Sequence, residues 1–122
     1  MTRRAVQLPL PLVVPAMPSA VRAELRAQIL PGWGHTAACA SSRLDPDWWF
    51  TPAGDELQAV ARGVCDTCPV RRSCLAHALA TGEPDGIWGG FDESERAWLQ
   101  LALAEGTRVS AILDPYTRTA AA

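Results

Sequence analysis

Four cysteines have the type and spacing to do chemistry in this 122-residue chain: Cys39 stands alone, while Cys65, Cys68 and Cys74 fall within ten residues in the string CDTCPVRRSC. A distant thiolate closing on a tight group of three suits an iron-sulfur cube, each of whose four irons takes one outside ligand. Zinc is the second reading. Structural zinc usually takes two short pairs, and only Cys65 and Cys68 form one here. A disulfide framework is the third, and it requires an export signal. Met1 to Pro18 does not read as one, because the apolar stretch after Arg3 and Arg4 is broken by Pro9, Pro11, Pro15 and Pro18. His35 and His77 could replace a ligand at a zinc site, but His77 lies three residues after Cys74, where a capping or surface role is commoner.

Those thiols need a scaffold, and the chain is long enough for one small domain whose folding a bound metal group would support. The formal charge of -2 is uneven, with +3 over residues 1 to 30, -3 over 31 to 90 and -2 over 91 to 122. No segment beyond the N-terminal extension is basic, so composition does not argue for binding through DNA phosphates. No stretch approaches the roughly 18 apolar residues of a membrane span, and a cytoplasmic protein is expected. All eleven basic residues are Arg, with neither Lys nor Asn, which is the mark of a GC-rich genome.

Pattern predicts an all-α fold of four helices. Residues 1-18 (with LPLPLVVPAMP) read as a disordered Pro-rich extension. Ser19 is positioned to N-cap a helix over about Ala20 to Leu30, with Val21, Leu25 and Ile29 on one face and Pro31-Gly32 as the stop. An irregular LDPDWWFTP stretch follows Cys39. The second helix, about Asp55 to Val64, presents Leu57, Val60, Ala61 and Val64 inward and delivers Cys65. A third runs from Pro69 to Thr81, stopped by Gly82, and Cys68 and Cys74 bracket its first turns, where backbone N–H groups favour thiolates. The fourth starts at an Asp92/Glu95 capping box and ends at Gly106, with Trp98, Leu99 and Leu101 inward. The domain is expected to span 19-106. Residues 107-122 are expected to form a flexible tail, with a short helical turn near Val109 to Leu113.

Trp33 and Cys39, DPDWWF from Asp45 to Phe50, CxxCP with Cys74 five residues beyond its proline-flanked pair, and GIWGG from Gly86 to Gly90 occur in that order. In this the chain resembles the WhiB-like family, small iron-sulfur transcription regulators of actinobacteria and their phages, over about Trp33 to Leu101. The resemblance implies that Cys39, Cys65, Cys68 and Cys74 hold one [4Fe-4S] cluster per chain, responsive to oxygen or nitric oxide, within a small helical domain. It implies no enzymatic activity. It also implies docking on the C-terminal domain 4 of the primary sigma factor through Trp88 with Gly86, Gly89 and Gly90, and through Trp33, Trp49 and Phe50. Trp48 stands where members usually have leucine, and Thr51 where they have proline. Many members end in a basic DNA-binding tail, whereas residues 107-122 hold only Arg108 and Arg118, so DNA is the weaker partner.

Three glycines around Ile87 and Trp88 independently suggest a large ring on a thin backbone, as an interface anchor or as a lid over the thiols. Trp98, at helical spacing with Leu101, reads as core. Arg71 and Arg72 lie between two ligands, placed to offset negative charge there. Loss of a cluster in air would free four thiols, with a Cys65-Cys68 disulfide the most accessible. The competing functions are a zinc-stabilised interaction module and a CxxC thiol-disulfide oxidoreductase. The βαβ pattern expected of a thioredoxin-like oxidoreductase is absent.

Overall fold

A computed structural model of the chain describes residues 16–116. The expectations for segments 1–15 and 117–122 lie outside the described residues. Among the described residues there are six α-helices and no strand, with one isolated antiparallel bridge between Trp88 and Phe91. The four expected helices are α1 (Ser19–Ala27), α3 (Glu56–Asp66), α4 (Arg71–Thr81) and α5 (Glu93–Ala104). Two short helices, α2 (Ala38–Ser41) and α6 (Val109–Leu113), join them, with 3-10 turns at Trp33–Thr36, Pro46–Phe50 and Asp114–Tyr116.

The ends follow local chemistry. Asp55 accepts from the Leu57 amide to start α3, and Asp92 and Glu95 form the full capping box of α5. Gly82 closes α4 at φ 70°, a conformation that costs glycine little. Three ends differ from the pattern, the first being α4, which begins at Arg71 while Pro69 lies in the preceding turn instead of opening the helix. Position 18 precedes α1 without any side-chain cap, so Ser19 lies inside the helix instead of capping it. The same helix ends at Ala27 because the Gln28 and Ile29 amides turn back to Leu25 and Arg26 in a tighter i to i+3 turn.

Helix α4 is central. Leu75, Ala76, Leu79 and Ala80 pack with Leu25 of α1, Leu103 of α5, Met17, and Val109 and Leu113 of α6 in one core. Val21 and Ile29 border it, as their spacing with Leu25 predicts. The tail boundary at 107 is therefore corrected. Residues 107–116 belong to the domain, since α6 seats Val109 and Leu113 in the core and Tyr116 packs against it. The N-terminal boundary moves as well, because Met17 is buried.

A second, smaller core holds Trp49, Ala61, Cys65 and Ile87, with Leu44, Trp48 and Val64 beside it. It rotates the buried face of α3 away from the predicted one. Gln58, Ala61 and Cys65 point inward while Leu57 and Val60 are exposed, since the side chains facing α3 come from the aromatic turn 46–50. On α5 the inward residues are Arg96 and Leu103, and Trp98 is 39% exposed, so the expectation of a core Trp98 is overturned.

Leu113 has no exposed surface. Leu113→Ala should therefore cost about 3 kcal/mol in denaturant unfolding, whereas Trp98→Ala should change stability by less than about 1 kcal/mol. Equal and small effects would show that α6 is not part of the folding unit.

Candidate metal centre

Each cysteine comes from a different position on the scaffold. Cys39 is the second residue of α2, Cys65 lies in the last turn of α3, Cys68 in the turn that follows, and Cys74 in the first turns of α4. The α3–α4 turn is tight, with the Cys68 amide bonded to the Cys65 carbonyl at 3.1 Å, so CxxC places two sulfurs side by side. All four cysteines are free and all four line one cavity of about 250 Å³. Trp33, Trp49, Phe50, Ile87, Trp88 and Arg71 complete much of its wall.

Among the described residues, no three His, Cys, Asp or Glu side chains converge as ligands of a single metal ion would. The four thiols all line the one cavity. Neither His35 nor His77 joins them: His35 is exposed, and His77 sits between two indole rings.

The sulfurs are met by N–H donors. The Ala38 amide donates to Cys68 Sγ at 3.4 Å and the Gly89 amide to Cys74 Sγ at 3.2 Å. Trp49 packs beside Cys65 in the smaller core. Such N–H donors stabilise a thiolate relative to a thiol. Sequence pattern points to the start of α4 as their source, but the two contacts just named come from α2 and the glycine turn. Burial works against them. It raises the Cys39, Cys65 and Cys74 thiols above their ordinary value, Cys74 to about 12, and mutual repulsion among the cysteines adds to the rise. A cationic metal group would remove that penalty and displace the protons.

The glycine turn has a second side. Three arginines from three helices each donate to one of its carbonyls: Arg62 to Gly90 at 2.9 Å, Arg71 to Gly89 at 2.7 Å, and Arg96 to Gly86. Gly86, Gly89 and Gly90 all have positive φ and all are buried. A Cβ at Gly89 would lie 2.7 Å from that of Leu75, and one at Gly86 2.5 Å from the Phe50 ring. The expected thin surface at these glycines is thus a packed one, and only Trp88 of this turn is half-exposed.

The other expected contact residues divide. Trp33 and Trp88 are half-buried and flank His77, each ring centroid 5.6 Å from the imidazole. Trp88 is anchored by its indole N–H on the Asp85 carbonyl at 2.8 Å. Phe50 is 58% exposed. Trp49 is only 7% exposed, and its contact with Cys65 makes it part of the cavity wall, unavailable as a surface anchor. The arginine grips and the indole on Cys65 had no signal in spacing, because their partners are 18 to 28 residues away for Arg71 and Arg62.

A profile of the family described as "Transcription factor WhiB" matches residues 33–99. The chain is 45% identical over 74 residues to the redox-responsive transcriptional regulator WhiB3 of Mycolicibacterium smegmatis, covering 56% of this chain and 74% of that protein. It is 44% identical over 70 residues to the transcriptional regulator WhiD of Streptomyces coelicolor, covering 52% of this chain and 61% of WhiD, short of two thirds of its length. It is 36% identical over 91 residues to the transcriptional regulator WhiB2 of Mycobacterium tuberculosis, covering 75% of this chain and 99% of that protein.

Folding raises these thiol pKa values from 9.0, Cys74 reaching about 12. The stability so gained is complete below the unfolded value and is lost as pH rises through the folded one. Protein with no bound group should unfold at lower urea concentration at about pH 10.5 than at about pH 7.5, and Cys74→Ser should reduce that difference. An identical pH slope in the variant would sink the assignment to Cys74.

Proposed function

The chain belongs to the WhiB family of transcription factors, and from that premise we propose a regulator that holds one [4Fe-4S] cluster on Cys39, Cys65, Cys68 and Cys74 and acts through domain 4 of the primary sigma factor. One observation carries the reading: four thiols, two of them met by backbone N–H donors, line a single cavity that the partly exposed rings of Trp33, Phe50 and Trp88 also line. When bound, such a cluster supplies electron exchange and reactivity toward oxygen or nitric oxide.

The chain's own residues divide the remaining work. The four sulfurs bind, the Gly89 and Ala38 amides orient two of them, and Trp49 and Ile87 exclude water from beneath. Trp88 serves as lid and as anchor, since it borders the cavity and keeps part of its ring in solvent. Among interface residues Trp is the type most enriched at hot spots. Direct DNA binding takes second place in this reading. Residues 107–116 offer Arg108 as their one basic side chain, and α6 is committed to the core.

Protein purified without oxygen should contain iron and acid-labile sulfide in equal amounts, near four of each per chain, and absorb broadly toward the blue. Replacing any of the four cysteines with Ser should abolish stable loading. One equivalent of zinc with no iron would overturn the cluster and favour a zinc-stabilised module. Trp88→Ala should keep the absorbance yet weaken binding to sigma domain 4 about thirtyfold, a hot-spot loss of about 2 kcal/mol. Unchanged affinity would remove Trp88 from the contact.

A further inference from the structure

Arg71, the first residue of α4, meets more partners than a solvated arginine needs. Its Nε donates to the Gly89 carbonyl at 2.7 Å and its Nη1 pairs with Asp66 at 3.1 Å. Its guanidinium carbon lies 4.4 Å from the centroid of the Tyr116 ring and 5.9 Å from that of Phe91. Those two rings meet edge to face at 5.9 Å. The next residue, Arg72, pairs with Asp114 at 3.0 Å, so the 3-10 turn Asp114–Tyr116 is seated on the first turn of α4 by two successive arginines.

The other side of the same loop is the thiol site. Gly89 donates its amide to Cys74 Sγ while its carbonyl is held by Arg71. The neighbouring Trp88 exchanges both backbone hydrogen bonds with Phe91, at 3.0 Å each. The hydrogen bonds to Cys74 and from Arg71 flank one Cα, that of Gly89. A shift of the guanidinium therefore releases the Gly89 carbonyl and loosens the residue whose N–H meets Cys74 and whose neighbour is Trp88.

We propose that Arg71 is a positioning residue through which Tyr116 sets the thiol site: the ring holds the guanidinium, the guanidinium holds the carbonyl of Gly89, and Gly89, fixed on that side, keeps its own N–H on Cys74 Sγ and the preceding Trp88 in its seat. The carboxyl-proximal turn is thereby part of the site, and a partner or modification that drew Tyr116 off Arg71 would loosen Cys74. The link needs no bound group. Its consequence for a cluster rests on the reading above.

The test uses the full chain with Tyr116→Ala, Tyr116→Phe and Arg71→Lys, by amide hydrogen exchange on protein purified without oxygen and by pulsed iodoacetamide alkylation of reduced, metal-stripped protein. Tyr116→Ala should speed exchange of the Gly89 amide relative to that of Leu79, and alkylation of Cys74 relative to Cys39, each by roughly three- to tenfold, as expected for loss of one cation–π contact. Tyr116→Phe keeps the ring and should restore both ratios. Arg71→Lys keeps the charge but loses the planar fork, and should match Tyr116→Ala, with the double variant no worse than either alone. Unchanged ratios, or equal acceleration at every amide and cysteine, would overturn the proposal. Because both measurements are ratios within one chain, they stand whether the purified protein carries iron, zinc or neither.

Discussion

The peptide groups between Gly86 and Gly90 lie between sulfur and guanidinium. The amide of Gly89 faces Cys74, while carbonyls of Gly86, Gly89 and Gly90 each accept from an arginine. A peptide unit is a dipole, so donors aimed at developing negative charge and acceptors aimed at positive charge reinforce each other. Reversing the 88–89 unit would put a carbonyl against the Cys74 sulfur, and reversing the 89–90 unit would put an N–H against the Arg71 guanidinium. The turn reaches this arrangement only through glycine, because the positive φ is strained for other residues and the neighbours leave no room for a Cβ.

The arginines are held in turn. Arg62 of α3 bonds Asp92 and Glu95, each at 2.9 Å, so the capping box that begins α5 also fixes α3 and the end of the glycine turn. Arg96 is nearly inaccessible and offsets part of its burial cost by donating from both terminal nitrogens to the carbonyls of Gly86, Phe91 and Glu83, while its Nε is buried without a partner. Removing such a side chain would leave several acceptors without partners, which is why charge sits deep in so small a domain. The main apolar core, on the other face of α4, holds that helix in place and with it Cys74.

Site and surface share residues. Trp88 stands between the buried Ile87 and the Gly89 amide that meets Cys74, and its ring stacks on His77, one turn beyond Cys74 on α4. The sulfurs and the half-exposed indole are thus separated by one peptide and one side chain. Any movement of the Gly89 amide on Cys74 is therefore one residue away from the half-exposed ring of Trp88.

Much of this protein is legible in its sequence because much of it is local. Helix existence follows from apolar spacing and from Asp55, Gly82, the Asp92/Glu95 pair and Gly106, since caps act within a single turn. The four cysteines stand out by type and spacing, and all four line one cavity. What is adjacent in space but distant in sequence was not legible. That α6 belongs to the core, that Trp98 faces water while Arg96 does not, that Trp49 turns inward onto Cys65, and that the glycines serve packing as much as freedom of φ were all decided by tertiary contacts. Periodicity shows that a helix has an apolar side, but the direction of that side is set by whichever neighbours fill the space, and burial free energy depends on them and not on the order of residues along one helix.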